Sequence, residues 1–469
     1  MVVGVRKARQ TEACLRRTRL EGRPLMIKRL EQFLFYFLFF AIPFQTRKIL
    51  YYPGWYFNEW QSVSVYATDL LLIVLFFFWG FSAIRGSKFL ILNFKFLNKF
   101  QIPNSRFQIH DYFLVLFLIV AGISVKNSSD FYVGAFLWLK LVEFALFYFY
   151  LKTYAVKKFG FIKILYALIL GGAFQAIIAI GQFLKQGDLG LRWLGESVLG
   201  VGLSGIASFF NTAGEKVIRV YGTTPHPNVL SAYLLLSIFA IYFLWFYPKR
   251  NSAFPNSIFY FLFSIFYAVI LFGLFFTFSR TTIFLWAVGF ALIGFFNFFK
   301  PQFRRLLLLT FLICLVFVSI YWPEVSSRLN ISSQEEAVQL RTFYNQESLK
   351  SGLNLFGIGL GDFTGWLMEQ NPNLPRYVYQ PVHNIYLLLY SETGILGLLT
   401  FLLFLFFLIK NSFSKKVIGY WLLVIGVLFL GLFDHFLLTI QQGRFILWSV
   451  LTVLAIGDII KEQSGNRAT

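Results

Sequence analysis

HNIYLLLYSETGILGLLTFLLFLFFLIK, His383 to Lys410, begins with a histidine and an asparagine and then stays predominantly apolar, with Glu392 as its one acid. A helix needs about 20 such residues to cross a bilayer, and this run is long enough. Its apolar residues come in blocks and do not alternate with polar ones, so it reads as a helix and not as a barrel strand. The whole chain behaves alike. With 58% hydrophobic and 13% charged residues over 469 positions and a mean hydropathy of +0.67, it carries more apolar surface than a water-soluble fold could bury. The fold class is therefore all-α, a polytopic membrane helix bundle.

Runs of the same kind mark about twelve transmembrane helices, near 27–44, 65–84, 111–126, 131–152, 161–184, 226–247, 257–278, 281–299, 304–322, 383–409, 416–436 and 440–460. No linker rich in Ser, Pro or Gly divides them, and no internal repeat or matched pair of broken helices stands out. Cys14 and Cys314 are too few and too far apart for a disulfide framework or a zinc site.

Basic residues orient the bundle. With the N-terminus in the cytoplasm, the inner connections hold Arg85, Lys88, Lys95, Lys99 and Arg106, then Lys152, Lys157, Lys158 and Lys163, then Lys249 and Arg250. Lys300, Arg304, Arg305, Lys410, Lys415 and Lys416 continue the pattern. Much of the +21 formal charge is thus an orientation signal, and nucleic acid is not expected as a partner. Two long segments fall outside, about 185–225 and about 323–382, the second between helices 9 and 10. The domain expectation is a basic tail over 1–25 and one integral membrane domain over 26–469. That tail reads either as a cytoplasmic arm on anionic lipid or as sequence upstream of a true start at Met26, because Lys28 and Arg29 already flank the first span.

The ionisable residues at the outer ends of the spans carry the functional signal. In RVYGTTPHPN, Arg219 and His226 precede the sixth span, where Pro225 and Pro227 delay the helix and Asn228 is placed to cap it. The stretch reads as a cap and loop, or as an anion site. Arg280 in FSRTT interrupts two apolar runs with no acid nearby in sequence. An unpaired charge there costs at least about 2.5 kcal/mol, so a carbonyl cluster, a watery turn or a bound anion must face it. Arg341 lies on an amphipathic stretch and is expected either to pair with Glu335, Glu336 or Glu347 or to bind an anion. Gly357, Gly359 and Gly361 then form a tight re-entry turn whose amides are free to meet an anion, or a turn alone. His383 is an interfacial cap or a proton acceptor, Asn384 a cap or an acceptor contact, and Glu392 a tuning group or a structural partner of an arginine. Asp434 and His435 remain unassigned.

The order RVYGTTPHPN, FSRTT, LRTFYNQESLKSGLNLFGIGLGDF, HNIYLLLYSETGILG resembles the O-antigen ligase family, the Wzy/ligase superfamily of envelope glycosyltransferases, over most of the chain. The resemblance implies a GT-C-like transferase without cofactor or metal. It would move a glycan from an undecaprenyl-diphosphate carrier to a hydroxyl of a glycan, lipid or protein acceptor, with inversion, at the external (periplasmic) side of the bacterial cytoplasmic membrane. It also implies that Arg219, Arg280 and Arg341 bind the diphosphate and that His383 is catalytic, with His226, Asn228, Asn384 and Glu392 in support. Within the superfamily a polymerase and a protein O-oligosaccharyltransferase compete with the ligase. From another class, a transporter or flippase competes, disfavoured by the few carboxylates inside spans.

Overall fold

A computed structural model describes residues 26–54, 57–86, 107–246, 256–329, 335–351, 354–413 and 418–463. The tail 1–25, with the question of its start, lies outside the described residues. Every one of the twelve apolar runs coincides with a helix. These helices are 26–41, Ala67–Gly86, Ile109–Ser124, Phe131–Tyr150, Phe161–Lys185 and Pro227–Phe246, followed by Asn256–Phe276, Arg280–Asn297, Pro301–Ile320, Ile385–Phe413, Ile418–Leu430 and Gln441–Ala455. Among the described residues, nine helices are long and apolar enough to cross a membrane; 26–41, Ile418–Leu430 and Gln441–Ala455 are shorter.

Local chemistry sets the helix ends. Asp130 accepts from the Val133 amide at 2.9 Å and so caps Phe131–Tyr150. Pro301 opens its helix, where a missing N–H costs nothing. The Pro227–Phe246 helix lies at the centre, and small residues let neighbours reach it. A side chain at Gly171 would meet the Tyr233 hydroxyl, and one at Gly172 the Ser237 hydroxyl. Close approach over small residues drives helix association where lipid removes the hydrophobic incentive. The Ile385–Phe413 helix packs along Ile109–Ser124, with Phe113 stacked on Phe407 at 5.1 Å.

The spans hold more ionic structure than their sequence suggests. Lys152 donates to Asp111 at 2.6 Å, and Lys140 sits between Asp69 at 2.5 Å and Glu143 at 2.9 Å. All but Glu143 are buried, and each charge meets its counter-charge as the low-dielectric interior requires.

Both long connections lie at one end of the bundle, the end that the basic residues assign to the outside, and they touch. The Thr212 amide donates to the Pro323 carbonyl at 3.2 Å, and Asn211 Nδ2 to Glu324 Oε1 at 3.1 Å. The first connection contains an antiparallel hairpin of β3 (Ser208–Phe210) and β4 (Lys216–Ile218), and a second hairpin pairs β1 (Arg47–Tyr51) with β2 (Val63–Tyr66). Neither hairpin has an apolar alternation long enough to announce it. The second connection holds the helices Trp322–Leu329, Glu336–Lys350 and Phe363–Gln370. Glu336–Lys350 is the amphipathic stretch that carries Arg341.

After it the chain turns back on itself at the glycines. The amides of Ile358 and Gly359 donate to the carbonyls of Ser391 and Glu392 at 2.9 and 3.2 Å. Those two amides are therefore spent inside the protein, which removes them from the anion-binding alternative. The Ile385–Phe413 helix is broken at Gly394, which has φ +71, and a Cβ on Gly357 would lie 2.4 Å from the Glu392 carbonyl carbon. Only glycine allows main chain to meet main chain this closely.

Candidate active site

His383 lies two residues before the Ile385–Phe413 helix. Asn384 is that helix's cap, its Oδ1 accepting from the amides of Tyr386 at 2.9 Å and Leu387 at 3.2 Å. The Ile385 amide donates to the Gly431 carbonyl at 2.8 Å, which ties the helix start to the turn that presents Asp434 and His435. The His383 ring is stacked on Tyr344 at 5.2 Å and 8°, and meets His435 edge-on at 4.8 Å. Its Nδ1 faces the Pro381 carbonyl at 3.2 Å. A proton on Nδ1 satisfies that carbonyl and leaves the lone pair on Nε2.

Asp434 joins this ring cluster to the arginines. Its Oδ2 accepts from Asn228 Nδ2 at 2.7 Å, and Asn228 Oδ1 accepts from Arg219 Nη2 at 2.6 Å. Arg219 Nε donates to the Thr277 carbonyl at 2.7 Å. Asn228 is thus a bridge and not the cap expected of it. The cap position is served by His226, whose Nδ1 accepts from the Asn228 amide at 3.2 Å. Burial, then the charge of Arg219, push His226 down to about 3, so its ring is neutral. Three of the chain's four histidines, His226, His383 and His435, therefore face Asp434.

Four guanidinium groups gather beside this network. Burial, followed by the like charges of Arg328 and, further down, Arg341, pushes Arg219 down to about 9. It stays charged at neutral pH. Arg341 makes no ion pair among the described residues, and its Nε is buried without a protein partner. The partner that membrane physics demands for Arg280 is a distant one. Its Nε donates to the Arg328 carbonyl at 2.9 Å, and its Nη1 pairs with Glu335 Oε2 at 2.6 Å. Arg328, which its sequence context did not mark, pairs more loosely with Glu335 Oε1 at 3.4 Å.

The structure thus brings Arg219, Arg280, Arg341, His226, Asn228, His383 and Asn384 to one end of the bundle. It places Glu392 apart from them. That acid is buried below the glycine turn, where the amides of Gly361 and Phe363 face its carboxylate. Sequence reasoning did not assign Asp434, His435, Tyr344 or Arg328. The Asp–His pair at the end of an apolar run was the one legible signal; Tyr344 and Arg328 gain meaning only from their neighbours. His383, Asp434 and His435 also bring potential ligand atoms within 4.8 Å of one another, a spacing that suits a divalent cation. Both Asp434 oxygens already accept hydrogen bonds, and Nδ1 of His435 faces Thr439 Oγ1 at 2.7 Å.

A polytopic helical membrane protein with a basic, histidine-bearing site at one end is the class that this geometry defines. Residues 265–402 match the Wzy_C family model, O-Antigen ligase, a stretch that contains Arg280, Arg328, Arg341 and His383. Over that stretch the chain is similar to the O-antigen ligase family, whose motif order it resembles. No curated protein matches the chain. The family carries envelope glycan chemistry of the ligase and polymerase type, on glycan and lipid-linked substrates.

Proposed function

We propose that the protein is a membrane glycosyltransferase that moves an oligo- or polysaccharide from an undecaprenyl-diphosphate carrier to an acceptor hydroxyl at the outer face of the cytoplasmic membrane. The observation that carries this reading is the convergence of four arginines beside a histidine whose Nε2 lone pair is left open. Arginine forks hold phosphate oxygens bidentately and stay charged, so Arg219, Arg280 and Arg341 hold the diphosphate and meet the charge that grows on it. His383 Nε2 takes the proton of the acceptor hydroxyl while its oxygen attacks C1 of the donor sugar. The C1–O bond to the diphosphate breaks, its electron pair leaves with the diphosphate oxygen, and attack from the opposite face inverts the anomeric centre. Asp434 faces the imidazolium that forms and stabilises it. Countercharge comes from guanidinium groups, and the reaction is proposed to run without a metal.

The test uses purified protein in detergent with a lipid-diphosphate glycan, measuring donor binding and product separately. His383→Ala is expected to bind donor and to lose roughly 10²- to 10⁴-fold in transfer. Arg219→Lys keeps the charge but cannot reach both Thr277 and Asn228, so it weakens donor binding. A transporter predicts neither pattern. The acceptor, and with it ligase against polymerase or protein glycosyltransferase, is read from the masses of surface glycans in a deletion strain.

A further inference from the structure

Glu335 holds a position that an external anion would otherwise fill. Its carboxylate sits between two guanidiniums, 2.6 Å from Arg280 Nη1 and 3.4 Å from Arg328 Nη1, and its side chain is 27% exposed. A carboxylate and a phosphate oxygen compete for the same fork geometry. Arg328 is poorly satisfied by this arrangement. Among the described residues its Nε is buried without a protein partner and its Nη1 makes only the long contact to Glu335, while its guanidinium carbon lies 5.3 Å from the Phe209 ring centroid. One carboxylate faces two guanidiniums, so Glu335 neutralises the pair incompletely. Glu335 also immediately precedes the Glu336–Lys350 helix, which carries Arg341 and the Tyr344 ring under His383.

The chemistry says when that carboxylate should give way. A diphosphate esterified at both ends gains an ionisable oxygen when the bond to the sugar breaks, and that group, with a pKa near 6, adds about one negative charge at neutral pH. The site therefore needs more free positive charge after transfer than before it.

We propose that Arg328 is a fourth diphosphate-binding residue and that Glu335 is an internal stand-in for phosphate, displaced from Arg280 and Arg328 by the departing diphosphate. The inference rests on the donor chemistry proposed above. Displacement matches the charge of the site to that of the leaving group, and the return of Glu335 to its arginines helps to expel the spent carrier.

The test measures polyprenyl diphosphate binding to the full chain in detergent, by titration at low ionic strength. Glu335→Gln keeps the side-chain shape and removes the competing charge, so binding should tighten by roughly two- to fivefold, the scale of one partly exposed ion pair. Arg328→Ala should weaken binding roughly tenfold or more, as expected when a hydrogen bond to a charged group is lost. In the double variant, the gain from Glu335→Gln should shrink. Unchanged or weaker binding in Glu335→Gln would make Glu335 a structural clamp and overturn the proposal. Unchanged binding in Arg328→Ala would remove that arginine from it. Absence of binding to the unaltered protein is a separate result, which sinks the donor reading itself.

Discussion

The ring of Tyr344 lies flat under that of His383, 5.2 Å away and 8° from parallel, while its hydroxyl donates to the Val378 carbonyl at 2.7 Å. Tyr344 stands one helical turn after Arg341, so a single external helix carries a candidate phosphate ligand and the platform of the candidate base. Tyr344→Ala is expected to lower transfer about tenfold, the scale of one aromatic pair, and to leave donor binding in place. Tyr344→Phe keeps the platform and should retain most of the rate. Comparing kcat at saturating donor checks this; equal rates in Tyr344→Ala and the unaltered protein would make the stacking incidental.

Acid should expose the part played by Asp434. Burial lowers the pKa of His383, Asp434 opposes that by favouring the imidazolium, and Arg341 adds to the lowering. A base must be unprotonated to act, so the acidic limb of the rate profile should lie below the ordinary histidine value of about 6.5. Asp434→Asn removes the opposing effect, and the limb should move to still lower pH even as the maximal rate falls. A limb displaced to higher pH would contradict the assigned coupling.

Transfer is expected to survive excess chelator, because arginines supply the countercharge. The cluster of His383, Asp434 and His435 makes this a real contest, since its atoms are close enough to share an ion. Elemental analysis of the purified protein, with activity assayed before and after chelation, decides it. Activity lost to chelator and restored by one divalent metal would move these three residues from proton chemistry to coordination.

Reporter fusions at Gly187 and Asn373 test the sidedness on which the mechanism depends. Each lies in one of the two connections that meet at one end of the bundle, and both should report the exterior. Cytoplasmic activity at either position would invert the assignment.

Most of the helical frame was legible because a bilayer imposes one demand, apolar length: all twelve runs coincide with helices, and nine of those helices, among the described residues, are long and apolar enough to cross a membrane. The site was legible in part for a related reason. A charge beside hydrocarbon needs an explanation, and Arg219, Arg280 and His383 stood out on that ground. Partners were hidden wherever they are distant in sequence. Arg280 meets Glu335, 55 positions away, and Asn228 meets Asp434, 206 positions away. A capping residue and a bridging residue also look alike in sequence: Asn384 caps its helix, whereas Asn228 spans two elements. The buried pair of Lys140 and Asp69 escaped notice because each sits in a separate apolar run.

The main-chain contact between Gly357 and the Ser391–Gly394 break has a consequence for inheritance. Where two side chains meet, a gain of volume on one side can be offset by a loss on the other, so descendants drift through compensating pairs. Here a Cβ on Gly394 would lie 2.5 Å from the Gly357 nitrogen, and one on Gly357 2.6 Å from the Gly394 nitrogen. Neither partner has anything left to give up. This seam admits no second solution by substitution, and variation must pass around it, into the lengths and surfaces of the segments on either side.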